Sequence, residues 1–266
     1  MAELIDLVAG DARARLTPTD GAALLSLTVA GAEFLAADPS AAGTGEWVGG
    51  NYPLAPWPGT VPSRVAQNGT DRIDLPSRSQ GKISHGFLLE RTWEVVGQGT
   101  SWVEFEYEIT DGPWQGVAWQ SYQLFPDRLD VNLELTLEQS APVGLGFHPW
   151  FVREADGSLP ELDADFDELI LADDAGAETL SDEPAATPRN AVHRGARIVP
   201  RLRWKDGRTL AVESESRVWV IYEQDPRGIC VEPWTCTPGE FAAGERITDA
   251  GGTEALSMTL RWSQTR

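Results

Sequence analysis

Basic residues are scarce in this chain. Its 266 residues hold Lys+Arg 21 against Asp+Glu 41, a formal charge of −20 at pH 7. Nucleic acid and anionic membranes are gripped through Lys and Arg, so this balance excludes both as expected partners and points to solubility. Cysteine is scarcer still, with only Cys230 and Cys236. Two thiols make no disulfide framework. No Cys/His zinc spacing accompanies them, so the pair would need donors from elsewhere to hold a metal. No apolar run reaches the ~18 residues of a membrane helix. No basic, apolar leader is evident either, which predicts a cytoplasmic protein. Also missing are an amphipathic helix of three turns, a nucleotide-binding glycine loop in strand–helix context and a serine nucleophile elbow. Hydrophobic residues at 41% and charged residues at 23% still describe a globular chain.

What is present has period two. Val103, Phe105, Tyr107 and Ile109 alternate with three glutamates and predict a half-buried strand. The alternation returns at Leu129, Val131, Leu133, Leu135 and Leu137, at Leu256, Met258, Leu260 and Trp262, and at Leu25, Leu27 and Val29. Asp20-Gly21 marks the opening of one strand, and Asp206-Gly207 predicts a hairpin joining Arg201–Trp204 to Thr209–Val212. Many short strands with Gly/Pro-rich connections predict an antiparallel sandwich or barrel, here as a single domain over residues 1–266. The Pro-rich stretch Asn51–Pro62 carries Tyr52, Leu54 and Trp57, so it is expected to be an ordered loop. Asp156–Pro188, acidic and rich in small residues, reads as a mobile insertion. Asp163, Asp165 and Asp167 alternate like the start of a calcium loop, but Glu168 stands where that loop needs glycine.

Three histidines are few enough to weigh singly. His85 precedes Gly86, which suggests a special backbone conformation or a close approach. His148 precedes Pro149, which ends ladder pairing there and places the imidazole at a strand end. His193 has a loop-like setting. Glu232 lies inside the apolar run Ile229–Trp234, where an unpaired carboxylate is costly. It is therefore either ion-paired with an arginine or kept for acid/base work. Arg64 offers a fixed fork of donors to hydroxyls or carboxylates. Trp57, Trp150 and Trp234 each stand beside such a polar candidate, and an aromatic face with hydrogen-bonding neighbours suits a sugar.

In order along the chain, these pieces resemble the aldose 1-epimerase (galactose mutarotase) family: Ala55–Arg64, then His85-Gly86 with Trp93, then Gly146–Phe151, then Glu232–Thr235. The resemblance implies an all-β fold, a large antiparallel β-sandwich of the galactose mutarotase type. It implies that Glu232 takes the anomeric hydroxyl proton while His148 protonates the ring oxygen. It also places His85 and Arg64 on the sugar. Asn190 has the best spacing match to an aspartate that binds sugar hydroxyls in many members, and Ser63 replaces the family's usual Asn before the arginine. Trp57, Trp150 and Trp234 complete the expected binding residues. No cofactor and no metal are implied; the partner is a small-molecule sugar, and the chain is expected to be a monomer or homodimer. Three alternatives compete: a hexose-6-phosphate 1-epimerase of the same fold, a non-catalytic sugar-binding or regulatory protein, and a sandwich with no sugar site. The first would need an added basic cluster, for which Arg91 is available.

Overall fold

The computed structural model describes residues 4–44, 46, 48–110 and 112–264. Alternating apolar residues build two eight-stranded sheets whose inner faces meet. The first runs Glu161–Asp163, Arg201–Arg203, Arg208–Glu213, Thr253–Gln264, Arg128–Leu137, Gly116–Leu124, Trp102–Ile109, Glu94–Gln98, and every neighbouring pair is antiparallel. The second runs Glu178–Ser181, Phe166–Ala172, Asn190–Ala196, Val218–Tyr222, Ile229–Trp234, Gly146–Phe147, Pro53–Leu54, with Trp150–Phe151 also pairing Ile229–Trp234. An N-terminal four-stranded meander adds Leu7, Leu16 and Leu27 to the core. Val103, Phe105, Leu133 and Leu260 of the first sheet share one apolar cluster with Trp219, Ile221, Ile229 and Val231 of the second. The fold is therefore the antiparallel β-sandwich that the period-two pattern and the family resemblance predict.

The strands read from alternation are present as Trp102–Ile109, Arg128–Leu137 and Thr253–Gln264, and Asp206-Gly207 closes the predicted hairpin with Gly207 at φ 87°. Three readings need correction. Leu25 does not share the face of Leu27 and Val29. The ladder pairs Arg15 with Ser26 but Leu16 with Leu24, so Leu25 is the extra residue of a bulge and packs with Ala23, Ala41 and Val48 instead. Asp156–Pro188 is not a loose insertion, because it supplies an edge strand to each sheet, Glu161–Asp163 and Glu178–Ser181, with Phe166–Ala172 beside the latter. Its Asp163, Asp165 and Asp167 pair with Arg203 and Arg197 on the surface. His193 lies within the strand Asn190–Ala196, buried and stacked on Phe166 at 4.4 Å between centroids.

Asn51–Pro62 is ordered, as expected, and Trp57 anchors it. Its indole is fully buried against Phe87, Trp114 and Phe241, and its Nε1 donates to the Ile83 carbonyl at 3.0 Å. This bond ties the loop to the segment that ends in His85-Gly86. Gly86 has φ 64°, and a Cβ there would collide with the Ala55 carbonyl. Both facts demand glycine. Gly86→Ala is expected to destabilise the protein by more than about 1 kcal/mol. Urea unfolding checks it, as a lower midpoint at unchanged slope.

Candidate active site

The strand Ile229–Trp234 sorts its side chains by alternation. Ile229 and Val231 enter the core, while Cys230, Glu232 and Trp234 share the other face. On the neighbouring segment Gly146 stands opposite Trp234, and Trp150 stands opposite Cys230. Antiparallel register then sets His148 opposite Glu232, in the gap that Pro149 leaves in the ladder. The His148 amide is still satisfied, donating to the Tyr52 carbonyl at 3.1 Å.

His148 Nε2 lies 3.6 Å from Glu232 Oε1, and Trp234 Nε1 donates to Glu232 Oε2 at 3.1 Å. Glu232 is 2% exposed and His148 7%. Among the described residues no arginine or lysine pairs with Glu232, so the ion-pair alternative fails. Burial pushes the Glu232 carboxyl well above the usual carboxylate range, with the indole hydrogen bond opposing it. Burial drives His148 well below its ordinary value, and the nearby His85 adds to that shift. Each group is therefore pushed toward its neutral form.

His85 meets His148 edge to face, with centroids 5.2 Å apart. It adopts φ 66°, uncommon for a side-chain-bearing residue, and exchanges two bonds with Gly59. Its amide donates to the Gly59 carbonyl at 2.7 Å, and its Nδ1 accepts from the Gly59 amide at 3.2 Å. That acceptance fixes the neutral tautomer and leaves Nε2–H as the donor. Burial, then Arg78, lowers its pKa to about 3.

The tryptophans hold this pair in place rather than forming open platforms. Trp150 is 4% exposed and stacks on His148, 5.2 Å between centroids and 4° between planes, with its Nε1 donating to the Tyr52 hydroxyl at 3.3 Å. Trp234 is wedged by two glycines, since a Cβ at Gly59 or at Gly146 would press on its ring. Trp57 belongs to the core described above, where it is fully buried.

Arg64 is exposed in a left-handed turn before Val65–Asn68, and its guanidinium makes no ion pair or hydrogen bond among the described residues. Arg78 stands where an arginine was expected. Its side chain is 7% exposed, pairs with Glu90 at 3.0 Å and donates through Nε to the Ser84 carbonyl at 2.9 Å. With His85 and Tyr52 it lines a cavity of about 160 Å³, rimmed by Asp20, Glu46, Lys82 and Glu90. Its only signal in the sequence was an arginine seven residues before His85, with no motif around it. Asn190 is exposed on the Glu232 face: it pairs Tyr222, which pairs Cys230, putting it two strands away and one residue pair along. A wider depression of about 800 Å³, lined by Glu213, Arg217, Arg246 and Glu254 among others, contains no histidine, so size does not mark the site.

Solved structures share this fold along the whole chain. A protein of Escherichia coli K12 described as a putative aldose 1-epimerase superposes with TM-score 0.86 at 19% identity, covering 100% of both chains. An aldose epimerase homologue from C. elegans gives 0.81 at 14% identity and 100% coverage of both chains. Galactose 1-epimerase from Lactobacillus acidophilus gives 0.75 at 14%, covering 99% of this chain and 95% of its own. At such identities the likeness is one of fold. No curated protein sequence matches the chain. The family model described as aldose 1-epimerase matches residues 3–241. With nearly the whole sandwich inside that match, the chain belongs to the aldose 1-epimerase family.

Proposed function

We propose that this chain interconverts the anomers of a free, neutral aldose, with Glu232 accepting and His148 donating the proton. The observation that carries this reading is the buried pair itself, 3.6 Å apart and without a cation beside the carboxyl. A binding module has no use for such a proton couple, whereas ring opening of a hemiacetal needs one acceptor and one donor. Burial favours the neutral form of each group, so the empty site holds one shared proton. An anomeric hydroxyl donating to Glu232 favours its carboxylate, and a ring oxygen accepting from His148 favours the imidazolium. Glu232 then takes the proton from the anomeric oxygen, His148 gives one to the ring oxygen, and the C1–O5 bond breaks to the open aldehyde. Rotation about C1–C2 and the reverse transfers close the other anomer. His85 Nε2–H and the Arg78 guanidinium supply donors to the remaining hydroxyls.

A phosphorylated hexose is less well served. The cavity wall offers Arg78 and Lys82 against Asp20, Glu46 and Glu90, two cations to three carboxylates. Arg78 is already paired with Glu90. Arg91 lies over the Phe87 ring at 5.7 Å and lines a neighbouring cavity instead.

NMR of anomer exchange on a panel of aldoses and one hexose 6-phosphate tests the reading. Glu232→Gln is expected to lower the enzymatic rate by about 10²–10⁴; an unchanged rate would remove Glu232 from the chemistry. The same variant has a thermal signature. A carboxyl raised on folding costs nothing below its unfolded pKa of about 4.3 and costs increasingly more as pH rises above it. Glutamine has no such cost, so its melting temperature relative to the parent protein should climb as pH rises above about 4.

The pH profile of kcat/KM follows from the one-proton pair. Activity is lost in acid when the pair gains a second proton, and the lowered His148 places that limb below about 6.5, the reference imidazole value. An acid limb at or above that value contradicts the pair as described. For the arginines, Arg78→Met should raise KM and lower kcat/KM by about 10-fold or more, the scale of one charge-assisted hydrogen bond. Arg64→Met should stay near the parent protein, and the reverse ranking would return the sugar contact to Arg64.

A further inference from the structure

The acid/base pair has a third neighbour that ring opening does not use. Cys230 is fully buried, two residues before Glu232 on the same strand face, and pairs with Trp150, whose ring stacks on His148. One ligand atom each from His148, Cys230 and Glu232 lies within 4.8 Å of the others. Among the described residues this is the one such group of three donors. In a tetrahedral zinc site, bonds of about 2.0–2.3 Å put neighbouring donors about 3.3–3.6 Å apart. The His148–Glu232 separation of 3.6 Å already matches such an edge. The donor set is one imidazole nitrogen, one thiolate and one carboxylate oxygen, which suits a borderline ion such as zinc and not calcium or magnesium.

We propose that His148, Cys230 and Glu232 form an inhibitory site for zinc-like divalent ions, which bind in place of the sugar and tie up both proton-transfer groups. The site itself follows from the three donors; the loss of turnover rests on the epimerase reading. The ion is an inhibitor and not a resident cofactor because the hydrogen bond that would orient the ligating imidazole is missing. A ligating histidine normally donates its other ring N–H to a partner, and His148 Nδ1 is buried with none. Three protein donors leave a fourth position for water. Binding must displace the thiol proton of Cys230 and the carboxyl proton of Glu232, both released to the buffer. Because ligation releases these protons, zinc should bind more tightly as pH rises.

The test combines direct binding with turnover. Zinc is titrated into the full-length protein by calorimetry in two buffers of different ionisation enthalpy, which counts released protons, and cobalt(II) is added separately as a spectroscopic probe. Anomer exchange is then measured with and without zinc at several sugar concentrations. The expected results are one zinc per chain, proton release, a thiolate-to-cobalt charge-transfer band, and inhibition that sugar relieves. Cys230→Ala should keep its own anomer exchange while needing about 10-fold or more zinc for half-inhibition. Cys230→Ser should behave likewise and guards against a packing defect in the alanine variant. Cobalt binding without the thiolate band, or equal zinc affinity in both variants and the parent, overturns the site. Zinc bound through Cys230 with undiminished anomer exchange overturns the inhibition. If the parent protein binds zinc through Cys230 but never accelerates anomer exchange, the metal site stands and the epimerase reading falls.

Discussion

A carboxyl group buried without a cation is the constraint from which the rest of this site follows. Glu232 sits at 2% exposure in a strand whose other face is core, and an uncompensated charge there would be expensive. The protein meets that cost with neutral partners: an indole N–H on one oxygen and an imidazole 3.6 Å from the other. Because neither partner carries a fixed positive charge, the carboxyl is not locked as an anion. An arginine in the same position would hold it ionised, with a lowered instead of a raised pKa. That no described arginine pairs with Glu232, in a chain with Lys+Arg 21, is therefore a property of the site's chemistry.

Backbone geometry supplies the precision that charge does not. The Glu232 strand and the Gly146–Phe151 segment pair on either side of the His148–Pro149 interruption, so the ladder itself fixes how far apart the two side chains stand. Gly146 and Gly59 clear the space that the Trp234 indole fills, and that indole is the donor to Glu232. Gly59 also clasps His85 from both its amide and its carbonyl. One buried tryptophan, Trp57, then holds the loop carrying Gly59 against the segment carrying His85. Most of the aromatic residues near the pair act in this way, as supports.

Much of this was legible in the sequence, and the pattern of what was not is physical. Strands with one buried face announce themselves through alternation, so Trp102–Ile109 and Arg128–Leu137 could be read directly. A glutamate inside an apolar strand and a histidine before a proline are local anomalies, and both mark the site. The bulge at Leu25 was not legible, because it depends on how Arg15 and Leu16 pair with a neighbouring strand. Nor could the tryptophans be divided between platform and support, since composition says that an indole is near polar groups but not which of its edges is covered. Arg78 escaped because its position depends on Ser84 and Glu90 closing around it, a tertiary arrangement with no sequence period. Arg64, in a recognisable motif, is turned into solvent by a left-handed backbone.

The burial of the pair also agrees with the stoichiometry of the proposed reaction. A site this enclosed exchanges protons with water slowly unless a path is built for them, and a reaction with net proton uptake or release would need that path. Anomer interconversion has no net proton change. In the proposed reaction ring opening moves one proton onto Glu232 and one off His148, and ring closure reverses both, so the pair begins and ends each turnover with the same single proton. The pair can then lie beside His85 and Tyr52, almost buried, without starving the chemistry. Enclosure even helps, because removing water strengthens the hydrogen bonds that shift the shared proton when sugar arrives. In the proposed reaction only a neutral sugar has to enter, and the cavity beside His85 offers it two cations and three carboxylates, hydrogen bonds without a strong field of either sign.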